Sequence, residues 1–320
     1  MDVGTFLGQS HVLVLAGKGG VGKTTMTAAV ARMAADAGKS VLIVELEGKS
    51  GIAAAFGRQD DLGYEEEALG EGVRARRLTP DDALVEYLED HGLKRVSKRL
   101  ARSGVLDVVA TAIPGIRDIL VLGKVKQLER AEVADLILVD APATGHAITF
   151  LTSARGMVDA ARGGPLRTQA QDVVELLNDP ARCRVILVTL PEELPVSETI
   201  ESAYTLEDKA GVQLGPVIVN ACDPEPTGLE RTAASVLEGA GLAADAVPAA
   251  HVAALEAARE FRLARHAVSA EQLERLRREL PLPHLLVPSV GEAQIGPAET
   301  QVLADALAEA VGALVPEGAA

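Results

Sequence analysis

The sequence predicts a doubly wound α/β fold: a mostly parallel sheet with helices on both faces and additional helical insertions. Three observations carry this expectation. Six short apolar runs recur along the chain, at His11–Ala16, Ser40–Glu47, Leu136–Asp140, Arg184–Leu190, Pro216–Ala221 and His284–Pro288. Their near-continuous Val, Ile and Leu content suits strands buried on both faces. Helical segments separate the runs, the alternation expected of a parallel sheet. A glycine-rich turn joins the first run to the first helix.

Each element follows from local chemistry. His11–Ala16 is the first strand, and the segment after the glycine turn is a helix that Gly38 stops. Ser40–Glu47 is the second strand. Asp61 to Arg130 is long, charged and mostly helical in pattern. Ala147 to Cys183 is a shorter helical stretch, broken by Gly163, Gly164 and Pro165. The final helix carries Val302, Leu303, Leu307, Val311 and Leu314, a spacing suited to core packing. Residues 1–320 therefore read as one domain, with helical elaborations at about 61–130 and 147–183.

Composition narrows the possibilities. Aromatic residues make up 2% of the chain and Trp is absent, so the core is built from Ala, Val, Leu and Ile. A net charge of −15 disfavours non-specific binding to a phosphate backbone. The two cysteines cannot form a disulfide framework or a zinc clip. They point to a reducing, cytoplasmic setting. No apolar run is long enough to span a bilayer, and the N-terminus lacks the pattern of a signal peptide. No Lys or Arg follows Arg278, which disfavours a membrane anchor built on the last helix.

The glycine turn carries the chemistry. Gly17-Lys18-Gly19-Gly20-Val21-Gly22-Lys23-Thr24-Thr25 fits GxxxxGK[ST] between a strand and a helix, the context that motif requires. Backbone N–H groups would cradle phosphates at the helix N-terminus. Lys23 would reach the β- and γ-phosphates of ATP, and the Thr24 hydroxyl would ligate Mg²⁺. A chance glycine turn is the bland alternative. Asp140, closing its apolar run, is expected to hold Mg²⁺ through water, the alternative being an ordinary helix cap. The segment after it reads as a flexible loop whose Gly145 amide could meet the γ-phosphate. Lys18 is the candidate for a second cation on the developing phosphoryl charge. Its place at the outer end of the loop suits presentation across a subunit interface. As a plain surface group it would simply be solvated.

Several stretches resemble those of a known family. Lys18 to Thr25 is similar to the deviant Walker A motif of the MinD/ParA/ArsA class of ATPases. Asp140 to His146 resembles the switch II sequence of the ArsA branch, which includes arsenical-pump ATPases and ATPases that target tail-anchored proteins. Pro114 to Asp118 and Leu190 to Thr199 resemble two further segments of that branch. The resemblance implies an ATP-hydrolysing dimer, as homodimer or as heterodimer with a paralogue, whose opening and closing act on a protein client or partner. It makes Lys18 the signature lysine that reaches the partner's nucleotide. It makes Asn220 an adenine-reading residue and puts Pro288 at the adenine pocket. It aligns Glu47 with the aspartate that positions the attacking water. Glutamate adds one methylene, and a misplacement near 1 Å can cost about a hundredfold in rate.

Departures from the family shape the alternatives. Cys183 and Cys222 have no third partner, so neither a zinc nor a metalloid site is expected. Ile148, Phe150, Leu151, Met157 and Val158 could line a client groove or belong to the core. Lys94, Arg95, Lys98, Arg99 and Arg102 recur at helical spacing, either as a solvated face or as a docking patch for an acidic partner. Nucleic acid ranks last for that stripe because of the overall charge. Two rival functions stand beside the dimeric ATPase. One is a slow or inactive ATP-binding subunit serving as scaffold for an active paralogue. The other is a MinD-like membrane or partition ATPase.

Overall fold

The computed structural model describes residues 1–46, 51–90, 92, 115–242, 247–292 and 294–314. Glu47, the basic stripe at 94–102 and Pro114 lie outside the described residues.

The six expected strands form. They are β1 (Val12–Gly17), β2 (Val41–Glu45), β5 (Leu136–Ala143), β6 (Cys183–Thr189), β7 (Val217–Cys222) and β8 (His284–Pro288). Two more strands, β3 (Glu67–Gly70) and β4 (Val73–Arg77), lie inside the stretch expected to be mostly helical. The sheet order is β3-β4-β2-β5-β1-β6-β7-β8. All neighbours pair in parallel except β3 with β4. The residue pattern accounts for this hairpin. Val73 and Ala75 point into the core while Arg74 and Arg76 occupy the alternate positions, Arg77 ends the strand, and Gly72 turns at φ +74° between the strands. Period-two alternation dressed in arginine looks like a charged helix face when only charge is counted.

Helices cover both faces. One face carries α1 (Val3–Leu7), α2 (Lys23–Asp36) and α3 (Gly51–Ala55), together with the last helix, α11 (Pro297–Gly312). Leu303, Leu307 and Val311 of α11 are buried there, whereas Val302 is exposed. The other face carries α4 (Pro80–Asp90), α5 (Ile116–Arg130), α6 (Thr144–Ala160), α7 (Pro165–Asn178) and α8 (Glu193–Thr205). Gly164 caps α7 at φ +96° with Pro165 in its first turn, so the break between α6 and α7 falls where the sequence puts it. A short π-helical turn, Leu206–Ala210, follows α8. The short α9 (Ala233–Gly239) and the long α10 (Ala249–Glu279) precede β8.

Ion pairs tie the α4–α7 layer together. Lys126 meets Asp172 at 2.8 Å, and Arg182 meets Glu129 at 2.6 Å. Lys124 pairs with Glu86. Phe150, Leu151 and Met157 are buried in this layer, and Ile148 and Val158 pack half-buried against it. In this structure these five residues belong to the core. Among the described residues no helix is long and apolar enough to cross a membrane.

The chain leaves β1 toward β2 on one side and places β6 on the other. The C-terminal end of β1 is therefore a topological switch point, where open parallel sheets bind ligands.

Candidate functional site

The glycine turn occupies that switch point. Gly17 ends β1 so close to β6 that a Cβ there would lie 2.3 Å from the carbonyl oxygen of Val188. Gly22 caps α2 at φ +89°, and a Cβ there would meet Asn220 Nδ2 at 2.3 Å. Both positions demand glycine, for close approach in the first case and for left-handed backbone as well in the second. Val21 is buried and anchors the loop, while Gly19 and Gly20 are exposed at its crest. Lys23 opens α2 and its ammonium donates to the carbonyl of Lys18 at 3.2 Å, folding back over the cradle.

Asp140 lies in β5 directly beside β1, in register with Leu15. Its carboxylate accepts from Thr24 Oγ1 at 2.7 Å and from Thr27 Oγ1 at 3.2 Å. A hydroxyl and a carboxylate thus meet at the foot of the loop, the hard oxygen set that Mg²⁺ takes. Gly51 of α3 closes over the same point, where a Cβ would meet Thr24 Cγ2 at 2.7 Å.

The segment after Asp140 differs from expectation. It continues as strand through Ala143, and α6 begins at Thr144, so Gly145 sits in the first helical turn rather than in a flexible loop. The pairing of Gly17 with Ala143 holds the segment extended up to that point. Gly19 passes close to Ala143, which brings the start of α6 beside the loop crest. Unpaired amides of a first helical turn can serve an anion as well as a loop amide can. Asp118 and His146 also come together. Burial pushes the Asp118 carboxyl up, and His146 acts against that shift.

Asn220 reaches the loop from β7. Its Nδ2 donates to Val21 O at 2.9 Å, and its Oδ1 accepts from the Ala221 amide at 2.8 Å. Ala221 takes φ +54°, where the β7–β8 register shifts. Pro288 pairs in register with Cys222, one strand further out. A cavity of about 290 Å³ opens beside these strand ends, lined by residues that include Pro191, Cys222, Asp223, His266, Leu273 and Leu286. Neither Asn220 nor Pro288 lines it.

Lys18 is not free in solvent. Its Nζ lies 2.9 Å from Glu198 Oε1 of α8, and both side chains are about a third exposed. Cys183 and Cys222 sit at opposite ends of adjacent strands, about 30 Å apart by strand rise. Among the described residues no group of His, Cys, Asp and Glu side chains could hold a metal ion as a cluster.

One residue at this site was not singled out from the sequence. Glu45 ends β2 in register with Asp140 and is 1% exposed. Burial pushes its carboxyl up to about 7, against the pull of Arg77 and with the neighbouring Asp140 adding to the rise. The available signal was an acid closing the otherwise apolar run Val41-Leu-Ile-Val44.

Known proteins similar to this chain give its family. The family model described as Anion-transporting ATPase matches residues 10–161. ATPase BagA of Mycobacterium tuberculosis is 35% identical over 305 residues, covering 87% of each chain. The chain belongs to the ArsA-type ATPase family. A putative arsenical pump-driving ATPase of Halobacterium salinarum is 26% identical over 69% of this chain and 37% of its own length. ATPase get3 of Schizosaccharomyces japonicus is 30% identical over 43% of this chain and 42% of its own. As a member of this family the chain is an ATP-hydrolysing enzyme.

Proposed function

We propose that this ArsA-type ATPase binds ATP with Mg²⁺ in the Gly17–Thr25 loop and couples nucleotide state to the opening and closing of a dimer that acts on a protein client. The meeting of Thr24 and Asp140 at 2.7 Å, at the foot of a loop that only glycines permit, carries the reading. Thr24 would ligate the cation directly and Asp140 through water. Mg²⁺ would neutralise charge on the β- and γ-phosphates. Lys23 turns from the Lys18 carbonyl onto those phosphates. Loop amides from Gly19 to Lys23 orient the chain of phosphates, and the Gly145 amide meets its far end. Glu47 orients the attacking water. Asn220 and Pro288 border the adenine.

Lys18 is assigned to the partner's nucleotide, and to reach it the lysine must leave Glu198. The partner is a second copy or a paralogue, and the setting is cytoplasmic. The whole chain acts as a single P-loop domain.

The test is steady-state phosphate release measured against protein concentration. Wild type should show turnover per subunit that rises with concentration, as a shared site requires. Lys23→Ala should lose both nucleotide binding and turnover. Lys18→Ala should keep binding and lose turnover. Turnover by Lys18→Ala at the wild-type rate would remove the shared-site reading. A chain inert alone but active after addition of a paralogue would favour the scaffold reading, which the substitution of glutamate for the family's aspartate at position 47 supports.

A further inference from the structure

Glu45 is difficult to explain as a structural residue. The other positions of β2 are fully buried Val, Leu and Ile, yet the strand ends in a buried acid. Burying a carboxylate is costly unless hydrogen bonds replace its water. Here neither Oε1 nor Oε2 has a hydrogen-bond partner among the described residues. Arg77, the register partner on β4, approaches Oε2 at 3.5 Å, and its own Nε and Nη2 are likewise without hydrogen-bond partners. The two form a long ion pair that lacks good hydrogen-bond geometry, and Arg77 pulls the Glu45 carboxyl down without offsetting its burial. Arg77 also lies 3.6 Å from Asp61, so one guanidinium is shared between two carboxylates.

Position supplies the missing part. Side chains at matched positions of adjacent parallel strands stand on the same face of the sheet. Glu45 and Asp140 are such a pair, and both face α2, where Thr24 and Thr27 hold Asp140. Two carboxylates therefore stand side by side under the phosphate loop. One has hydroxyl donors, and the other is buried with open acceptors. A hydrated cation at Thr24 would supply donors, because its bound waters point their hydrogens outward. We infer that Glu45 is a positioning residue for the divalent cation, accepting hydrogen bonds from cation-bound water beside Asp140. Arg77 then serves to hold the carboxylate in place rather than to satisfy it. Outer-shell partners of this kind typically change metal affinity by about 10- to 100-fold when lost.

The inference rests on the proposal that Thr24 and Asp140 hold the cation, and the experiment separates the two. Calorimetric titration with a non-hydrolysable ATP analogue, in excess Mg²⁺ and again in EDTA, gives the factor by which Mg²⁺ tightens binding. For Glu45→Gln that factor should fall by about tenfold, with affinity in EDTA unchanged. Glu45→Asp keeps the charge for Arg77 but withdraws it by one methylene, and should show a smaller fall in the same factor. It also serves if the glutamine variant does not fold. Asp140→Asn is the control for the underlying reading. If Asp140→Asn loses the Mg²⁺ factor while both Glu45 variants keep it, the inference is overturned and the reading stands. If Asp140→Asn keeps the factor as well, the reading itself fails.

Discussion

Lys18 Nζ lies 2.9 Å from Glu198 Oε1, so the outer lysine of the phosphate loop is ion-paired within its own chain. The resemblance to a shared-site ATPase asks this lysine to serve a neighbour. The pair joins the loop to α8, within the segment Leu190 to Thr199 whose sequence resembles a family motif. A pair about a third exposed on each side holds weakly, at about 0.2–1 kcal/mol. Glu198→Gln should therefore raise turnover at limiting protein concentration by up to about fivefold. Phosphate release measured across a dilution series reads this. Unchanged turnover at every concentration would mean that the pair does not restrain Lys18.

Asp140→Asn keeps the shape of the side chain but removes its charge. Nucleotide affinity in EDTA should be retained, and kcat in Mg²⁺ should fall by about 10²-fold or more, as expected for loss of preorganised charge stabilisation. A single-turnover assay with bound ATP isolates this effect from binding.

Gly22→Ala should abolish nucleotide binding. The new methyl would meet Asn220 Nδ2 at 2.3 Å, and the residue would be held at φ +89°. Left-handed backbone costs a non-glycine residue about 1–2 kcal/mol even without the clash. Adding Asn220→Ala relieves the contact but not the backbone, so the double variant should recover only part of the lost stability. Thermal melts of the two variants give the comparison.

His284 supplies a pH dependence. Burial holds its imidazole below the usual value, with Arg277 adding to the effect, and its Nε2 has no hydrogen-bond partner among the described residues. The unfolded chain takes up a proton near pH 6.5 that the folded chain resists. Below that pH the unfolded state binds more protons, so stability falls as pH drops from 6.5 toward the lower folded value. Melting temperatures recorded from neutral to mildly acidic pH should decline over that window. The decline should be smaller for His284→Gln, which cannot charge.

The cysteines should be inert in the folded protein. Burial pushes the Cys183 thiol up to about 12 and the Cys222 thiol up to about 11. Thiolate is the reactive form, so alkylation at mildly alkaline pH should be slow until denaturant is added. Mass spectrometry after iodoacetamide treatment detects this. At about 30 Å apart in the folded protein the two sulfurs cannot grip one soft metalloid, and arsenite should leave the melting temperature unchanged.

Much of the site was legible because its chemistry is local. Glycine positions, the Lys23–Thr24 pair and the acid closing Leu136–Asp140 are contiguous patterns, and the structure brings Thr24 and Asp140 to 2.7 Å. The Ala-Pro-Ala-Thr-Gly run carries turn residues and by itself predicts a loop at Gly145. Pairing with β1 overrode that local preference and kept the backbone extended to Ala143. The β3–β4 hairpin, which turns between Gly70 and Gly72, is hard to read from sequence because arginines mask the period-two pattern of Val73–Arg77.

What the sequence determined by itself was the order of buried strands, the phosphate loop and the family, since each is written in contiguous residues. What only the tertiary structure decided was which distant side chains face each other. The Lys18–Glu198 pair spans 180 positions, and the contact of Asn220 with Val21 spans 199. Glu45 stands beside Asp140 only through strand register. Register depends on how whole strands bury their faces, and no local window contains that information.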